Sequence, residues 1–199
     1  MDLGPARRVG RDFFARPTLE VAADLVGCEL RHRTAQGLES VELVEVEAYL
    51  GEGEDPASHA HRGRTPRNRN MFETPGRLYV YLSYGLHHCL NVVCESRGRA
   101  GAVLLRAARP IEGLERMASR RGRSGHELTN GPGKLAQALG ADLEWDGRDL
   151  VRGSLGLWSP PQRPSVRRSG RIGISSAQGR RYRFFRADSP WVSRAKPSL

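Results

Sequence analysis

Lysine is nearly absent from the sequence, although the chain is strongly basic. Lysine occurs only at positions 134 and 196, so the formal charge of +10 and the pI of about 10.5 come almost entirely from arginine. Guanidinium groups bind phosphate oxygens through paired hydrogen bonds, and binding releases the counterions of a polyanion. The composition therefore favours a polyanionic partner; a basic surface that only keeps the protein soluble is the alternative.

Cysteine is also scarce, and no long apolar run is present. Cys28, Cys89 and Cys94 are odd in number and lie in apolar contexts, which predicts reduced thiols in an intracellular protein. No stretch approaches the ~20 apolar residues that cross a bilayer, and residues 1–8 lack the apolar core of a signal peptide. We expect no membrane partner, and the length and 38% apolar content predict one domain over residues 1–199.

Short strand-like runs, separated by turns and a few helices, predict the fold class. Helices are predicted over 18–26, 111–120 and 130–139, and strands over about 28–33, 41–48, 78–83, 88–93, 101–107, 154–158, 171–174 and 182–185. Parallel strands would need a helical crossover between each pair, and most of these strands have none. The pattern predicts a single mixed α+β domain with a mostly antiparallel sheet and short surrounding helices.

One predicted strand carries two carboxylates and ends beside an aromatic ring. Side chains alternate across a strand, so Glu45, Glu47 and Tyr49 share one face, and the apolar residues between them can pack on the other. A long polar loop over 51–70 follows and contains Arg62, Arg64, Arg67 and Arg69. A carboxylate and a ring on one face, next to basic sequence, indicate hydrolytic chemistry on a nucleic-acid base.

A large aromatic residue lies at the tip of a predicted hairpin. The strands over 78–83 and 88–93 flank the turn Tyr84-Gly85-Leu86-His87. An enzyme that acts on a base inside a duplex must unstack it, and an inserted side chain can hold the gap open. Tyr84 suits that insertion, and packing of Tyr84 over the sheet is the alternative.

Metal and nucleoside-triphosphate chemistry find little support. A metal site would have to be built from His59, His61, His87, His88 and Cys89, but adjacent histidines on a strand point to opposite faces, and no cysteine pair has zinc-ligand spacing. The tract Gly131-Pro132-Gly133-Lys134 lacks the earlier glycine, the Ser/Thr and the preceding strand of a phosphate-binding loop. Backbone N–H groups at this helix start could hold a phosphate or simply cap the helix.

Two further classes of protein stay open on the residue pattern. A sugar hydrolase would use Glu45 and Glu47, roughly 7 Å apart along the strand, as its acid and base. Alternating glutamates also occur where one face of an exposed strand is simply wet. A DNA- or RNA-binding module without catalysis is the other class.

Motifs spread over nearly the whole chain resemble those of one family. They include Asp12-Phe13-Phe14, Glu45-Val46-Glu47-Ala48-Tyr49-Leu50-Gly51, Thr65-Pro66-Arg67-Asn68-Arg69, Pro75-Gly76-Arg77-Leu78-Tyr79-Val80-Tyr81, Tyr84-Gly85, Leu104-Leu105-Arg106-Ala107, Gly131-Pro132-Gly133-Lys134-Leu135 and Ser189-Pro190-Trp191-Val192-Ser193. In this order they resemble the alkyladenine, or 3-methyladenine, DNA glycosylases of the mammalian type, which also occur in bacteria. The agreement of many motifs in one order makes the resemblance specific.

The resemblance implies a fold and an activity. It implies a curved antiparallel sheet with a hairpin that protrudes into the DNA minor groove. It implies hydrolysis of the N-glycosidic bond of alkylated or deaminated purines, such as 3-methyladenine, 7-methylguanine, hypoxanthine and ethenoadenine, flipped out of duplex DNA. The product is an abasic site, and no cofactor, metal or strand-cleaving lysine is expected. We expect a monomer, cytoplasmic and nucleoid-associated in a bacterium or nuclear in a eukaryote.

The resemblance also implies roles for individual residues. Glu47 resembles the general base that deprotonates the attacking water, and Arg106 resembles the residue that holds this water. The implied base pocket consists of Tyr49, His59 and Tyr81 as aromatic walls, Asn91 against the exocyclic amine of guanine, and Ile172 at the edge. Tyr84 resembles the intercalating residue, and the implied DNA contacts are Arg64, Thr65, Arg67, Gly85, Leu86, His87, Arg121, Lys134 and Gly173. The presence of both Glu47 and Arg106 argues against a binding module without turnover.

Overall fold

A curled antiparallel sheet forms the centre of the structure, a computed structural model that describes residues 6–194. Its strands are β1 (Glu29–Thr34), β2 (Gly37–Tyr49), β3 (Leu78–Ser83), β4 (His87–Val93), β5 (Ala102–Glu112), β6 (Leu155–Trp158), β7 (Arg167–Ser169) and β8 (Arg183–Phe185). The α-helices around it are α1 (Arg11–Phe14), α2 (Thr18–Leu25), α3 (Leu114–Arg121) and α4 (Pro132–Leu139). The predicted α+β class with a mostly antiparallel sheet is confirmed.

Strand β2 is the longest strand and organises the sheet. The strand order is β3-β4-β5-β2-β1-β6, and every pairing between these neighbours is antiparallel. One edge of β2 pairs with β5, whereas the other edge pairs first with β1 and then, over 45–47, with β8. β7 pairs only with β8. The carboxylate-bearing end of β2 is therefore enclosed by strands on both edges.

A β-bulge decides which face of β2 carries the carboxylates. Val41 and Leu43 pack into the main hydrophobic core, but after the register shifts on either side of Glu45 the core residues are Val46 and Ala48. The core face thus changes from odd to even positions, since a bulge inserts one extra residue into the strand. Without it, Glu45 would point into the hydrophobic core. The predicted shared face of Glu45, Glu47 and Tyr49 is confirmed by the contacts described below.

Two predicted elements differ in the structure. The predicted helix over 111–120 begins only at Leu114, because Ile111 and Glu112 still belong to β5 and Gly113 turns the chain with a φ of +80°. The predicted strand over 171–174 is wrong. Its backbone is bent, since Arg171 points into the protein to meet Asp55 and Gly173 has a φ of +72°.

The hairpin of β3 and β4 has a tight and exposed tip. Tyr84 and Gly85 both have positive φ values, of 50° and 70°, and the Leu86 N–H donates to the Ser83 carbonyl oxygen over 3.0 Å. The Tyr84 side chain is 91% exposed, so the alternative in which it packs over the sheet is wrong. A non-glycine residue with positive φ stores local strain, which the tight turn imposes here.

Two other sequence expectations concern thiols and membranes. Cys28, Cys89 and Cys94 are all buried and free of disulfides. Within residues 6–194, the structure contains no helix with the length and apolar character needed to cross a bilayer.

Candidate active site

Alternating residues of four adjacent strands form one side of a cavity of about 610 Å³. Because side chains alternate along a strand, each strand sends every second residue to the cavity. These residues are Tyr49 from β2, Ala102, Leu104 and Arg106 from β5, Cys89 and Asn91 from β4, and Tyr79 and Tyr81 from β3. The loop after β2 and residues 172–176 complete the rim, with His59, Arg67 and Ile172 among them. All the predicted pocket residues therefore meet at this cavity.

The aromatic rings of the cavity form two separate walls. The centroids of His59 and Tyr81 lie 4.6 Å apart in an edge-to-face arrangement, and Tyr79 lies 5.5 Å from Tyr81. Since His59 and Tyr81 touch each other, a base cannot stack between them, and they form one wall. Tyr84 also lines the cavity from the hairpin tip, and Tyr49 lines it from β2. Its own ring is backed by the Arg171 guanidinium, whose central carbon lies 4.6 Å from the ring centroid.

His59 is held by a hydrogen bond with Tyr79. Its Nδ1 lies 2.9 Å from the Tyr79 hydroxyl, and burial together with the nearby Arg67 charge lowers the pKa of His59 below its usual value. Burial also raises the pKa of Tyr79 to about 12, so the phenol keeps its proton. Tyr79 was not among the predicted pocket residues. The signal that could have found it is its position two residues before Tyr81 on the same strand.

Glu47 lies directly behind the cavity wall. Its side chain has no exposed surface, and its oxygens accept hydrogen bonds from the Tyr49 hydroxyl at 2.9 Å, the Ile172 N–H at 2.8 Å and the Arg106 Nη1 at 3.4 Å. All three donor residues line the cavity. Burial raises the pKa of Glu47 above its ordinary value, although the Arg106 charge opposes the increase. A carboxylate with a raised pKa is a better proton acceptor once it is ionised.

Arg106 is shared between two buried carboxylates. Its Nε donates to Glu45 Oε1 over 3.0 Å, while its Nη1 reaches Glu47. Glu45 is also fully buried, so the interpretation of its position as the wet face of an exposed strand is wrong. Burial disfavours the charged form of Glu45, but Arg106 and Arg183 outweigh this effect and lower its pKa. Only one of the residues that donate to Glu45, Arg106, lines the cavity, whereas all three donors to Glu47 do, which disfavours the sugar-hydrolase pair.

A second buried ion pair supports the same wall from behind. Arg171 donates to both oxygens of Asp55, over 2.6 and 2.8 Å, and to the Ala48 carbonyl oxygen over 2.9 Å. Neither charged side chain has exposed surface. The pair fixes the bent segment so that the Ile172 N–H points at Glu47. Sequence reasoning missed Asp55 and Arg171 as partners, because 116 positions separate them and no local pattern joins them.

Asn91 projects from β4 into the cavity. It is buried, and its Nδ2 donates to the Tyr79 carbonyl oxygen over 3.0 Å, which fixes the orientation of its side chain. A fixed amide at this point can contact the edge of a bound base. The histidines and Cys89 that the sequence offered as metal ligands do not converge: no three His, Cys, Asp or Glu side chains within 6–194 are grouped for metal binding.

A family model described as methylpurine-DNA glycosylase matches residues 12–190. The chain belongs to the methylpurine-DNA glycosylase family. Membership makes the protein a DNA glycosylase, a hydrolase whose substrate is DNA. The cavity with its buried carboxylate is therefore the candidate active site of a DNA glycosylase.

Related proteins agree over almost the full chain. A protein of Leifsonia xyli is 48% identical over 176 residues, which cover 85% of this chain and 83% of the relative. One of Chlorobaculum parvum is 47% identical and covers 94% and 91%, and one of Methanocella arvoryzae is 45% identical and covers 94% and 96%. All three carry the name "Putative 3-methyladenine DNA glycosylase".

In this DNA glycosylase, the predicted DNA contacts occupy four environments. Arg67 and Gly173 line the cavity, and Gly85, Leu86 and His87 surround the exposed hairpin tip. Arg64 and Thr65 lie in the loop after β2, where the Arg64 guanidinium contacts Glu73 over 2.9 Å. The basic groups of Arg121 and Lys134 are already bound, to Gln137 and to Glu127 respectively. Their contacts with DNA stay predictions.

Proposed function

We propose that the protein excises alkylated or deaminated purines from duplex DNA by hydrolysing the N-glycosidic bond of a flipped nucleotide. The observation that carries the proposal is the position of Glu47, hydrogen-bonded to three residues of an aromatic cavity. The strongly basic chain and the names of the relatives support DNA and 3-methyladenine as substrates.

The proposed reaction begins with base flipping. Tyr84 enters the duplex from the exposed hairpin tip and occupies the gap, while the damaged base stacks between Tyr49 and the wall of His59 and Tyr81. Electron-rich rings attract a cationic base more strongly than a neutral one, which favours methylated purines. Asn91 is proposed to crowd the exocyclic amine of guanine, because its side chain is fixed at the cavity surface.

Hydrolysis then needs a water molecule and a proton acceptor. Glu47 takes the proton of a water held beside Arg106, the water oxygen bonds to C1′ of the deoxyribose, and the C1′–N bond breaks with its electrons leaving on the base. The negative charge of Glu47 also stabilises the positive charge that develops on the sugar. Since Glu47 has no exposed surface in the free protein, the proposal includes a small displacement of Tyr49 or Ile172 when the nucleotide binds.

The same proposal covers a monofunctional reaction. A Schiff base would need a lysine at the cavity, and Lys134 is bound to Glu127 over 2.7 Å and Asn130 over 2.9 Å outside it. Lys196 falls outside the described residues. Water is then the nucleophile, and the DNA strand stays intact after base release. A monomer located with the bacterial nucleoid is part of this proposal, in line with the bacterial sources of two of the relatives compared above.

The test uses duplexes that each contain one lesion: 3-methyladenine, 7-methylguanine, hypoxanthine or ethenoadenine. Wild-type protein should release free base and leave an alkali-sensitive abasic site in an otherwise unbroken strand. The matched controls are an undamaged duplex and the Glu47→Gln variant, which keeps the size of the side chain. Absence of free base from all four duplexes would overturn the enzyme assignment, and strand breaks without alkali would overturn the monofunctional one.

A further inference from the structure

Glu45 has contacts that a merely structural glutamate would not need. It has no exposed surface, and it accepts four hydrogen bonds, from Arg106 Nε at 3.0 Å, Arg183 Nε at 2.7 Å, the Ser193 hydroxyl at 2.9 Å and the Ser193 N–H at 2.6 Å. Three of these converge on Oε1, and the Ser193 N–H occupies Oε2. Both carboxylate oxygens therefore accept hydrogen bonds from the protein, and Glu45 is not part of the cavity wall.

These contacts determine where the Arg106 guanidinium lies. A guanidinium is planar, so fixing its Nε edge also sets the direction of its other nitrogens. The hydrogen bond from Nε to Glu45 is 3.0 Å long, whereas the bond from Nη1 to Glu47 is 3.4 Å long. The shorter contact is the stronger constraint. Glu45 thus holds Arg106 against Glu47 from the side opposite the cavity.

Ser193 connects this arrangement to the C-terminal segment. Both its backbone N–H and its hydroxyl bind Glu45, although 148 positions separate the two residues. Arg183 on β8 binds the same carboxylate and donates from Nη1 to the Ser169 hydroxyl over 3.0 Å. The segments around Arg183 and Ser193 are therefore both held to the strand that carries the catalytic carboxylate.

We propose that Glu45 is a positioning residue for base excision, which orients Arg106 toward Glu47 and is locked in place by Ser193 of the C-terminal segment. This inference rests on the proposed function, because it assigns Glu45 a role in the same reaction. Glu45 does not line the cavity. It acts through Arg106.

The charges around Glu47 make the role measurable. Glu47 and Glu45 share Arg106, so the negative charge of Glu45 withholds part of the attraction that would favour ionised Glu47. The titratable and charged groups that face Glu47 are Glu45 and Tyr49 on β2, Tyr81 on β3, Cys89 on β4, Arg106 on β5 and Arg171 after β7. Arg106 lowers the pKa of Glu47 more than Glu45 raises it. Removing Glu45 should therefore lower the rate through misplaced Arg106, and should also let Glu47 ionise only at higher pH.

The experiment measures single-turnover release of hypoxanthine by Glu45→Gln across a range of pH. Glutamine cannot accept hydrogen bonds at both positions, so its amide would face either Ser193 or the arginines. We expect a rate about 10²-fold below wild type, as for a misaligned catalytic group, and an acid limb displaced to higher pH, because Glu47 loses part of its attraction to Arg106. A structural role alone would reduce the folded fraction and leave the acid limb in place. Circular dichroism and thermal unfolding separate these two effects.

If Glu45→Gln does not fold, two variants that each remove one hydroxyl group test whether Glu45 must be held in place. Ser193→Ala removes only the hydroxyl contact and should slow release about threefold. Ser189→Ala is the matched control, because Ser189 lies in the same segment and its hydroxyl accepts the Trp191 N–H over 3.3 Å without touching Glu45. Equal rates for the two serine variants, with an unchanged acid limb in any folded Glu45→Gln, would overturn the inference. Lack of activity in wild-type protein would instead overturn the proposed function.

Discussion

Each end of β2 carries a buried glutamate, and the pKa values of these two glutamates are shifted in opposite directions. At the start of the strand, Glu39 accepts hydrogen bonds from Arg116 and from both terminal nitrogens of Arg120 over 2.8 to 2.9 Å. Near its end, Glu47 has a single arginine partner, Arg106, whose Nη1 and Nε both lie 3.4 Å from its oxygens and which also binds Glu45. Neither Glu39 nor Glu47 has exposed surface.

The two pKa shifts differ because the arginines beside the two glutamates differ in number and in exposure to solvent. Glu39 faces two arginines that keep about a third of their side-chain surface exposed, at 34% and 33%, so solvent supports the surplus charge. Arg106 and Arg183 are only 7% and 6% exposed and balance two carboxylates. Burial opposes ionisation at both ends, but the arginines lower the pKa of Glu39 while the pKa of Glu47 is raised. The pKa of the buried glutamate is raised where its counterion is shared.

The largest expected effect comes from exchanging each glutamate for glutamine. Glu47→Gln should slow release of neutral bases about 10³-fold, because the general base is lost. Glu39→Gln should stay within a few-fold of wild type, since Glu39 lies outside the cavity. Single-turnover kinetics with a hypoxanthine duplex and a DNA-binding assay check both. Equal losses of rate would show that the two ends do not differ in function.

Stability should change in the reverse order. Glu39→Gln leaves two arginines without their counterion and should lower the free energy of unfolding by about 2 kcal/mol, less than for a fully buried pair because the arginines are partly exposed. Glu47→Gln should cost less, because the arginine it leaves behind, Arg106, keeps Glu45 as a counterion. Urea unfolding at neutral pH measures both values. A greater loss for Glu47→Gln would contradict the charge comparison.

Tyr84→Ala tests whether activity can fall without any change at Glu39 or Glu47. Loss of the exposed ring should reduce excision about tenfold, because the flipped state loses the side chain that fills the gap. The acid limb of the pH profile should coincide with that of wild type. Fluorescence of 2-aminopurine next to the lesion reports flipping directly, and identical flipping without the ring would disprove insertion. Leu114→Ala on α3 is the control, since Leu114 is also an exposed apolar side chain, at 47%, but lies outside both the cavity and the hairpin.

The smallest expected effect is in the pH dependence of stability. The pKa of Glu47 is raised, so its contribution is fully present below its ordinary value of 4.5 and is lost as pH rises through the folded-state pKa. The pKa of Glu39 is lowered, so its contribution is present above 4.5 and is lost as pH falls through the folded-state pKa. The free energy of unfolding should be measured for both glutamine variants from about pH 3 to pH 8. Relative to wild type, Glu47→Gln should lack the decrease in stability with rising pH, and Glu39→Gln should lack the decrease with falling pH. Parallel curves would contradict the opposite shifts.

Much of the candidate site could be predicted because the relevant information is local. Strand alternation placed Glu45, Glu47 and Tyr49 on one face, and a glycine turn placed Tyr84 at a hairpin tip. The order of short motifs indicated the family, which the family match over residues 12–190 confirms. The strand predicted over 171–174 failed, because local propensity could not anticipate a buried ion pair that bends this segment.

The sequence by itself determined the basic charge, the alternation along β2 and the motif order, since each depends on neighbouring residues. Only the tertiary structure decided that Arg106 binds both Glu45 and Glu47, that Arg171 binds Asp55, and that Ser193 donates a hydrogen bond to Glu45. These contacts join positions 59 to 148 residues apart. The pKa of a buried carboxylate depends on such partners and on desolvation, and both arise only when distant segments pack together.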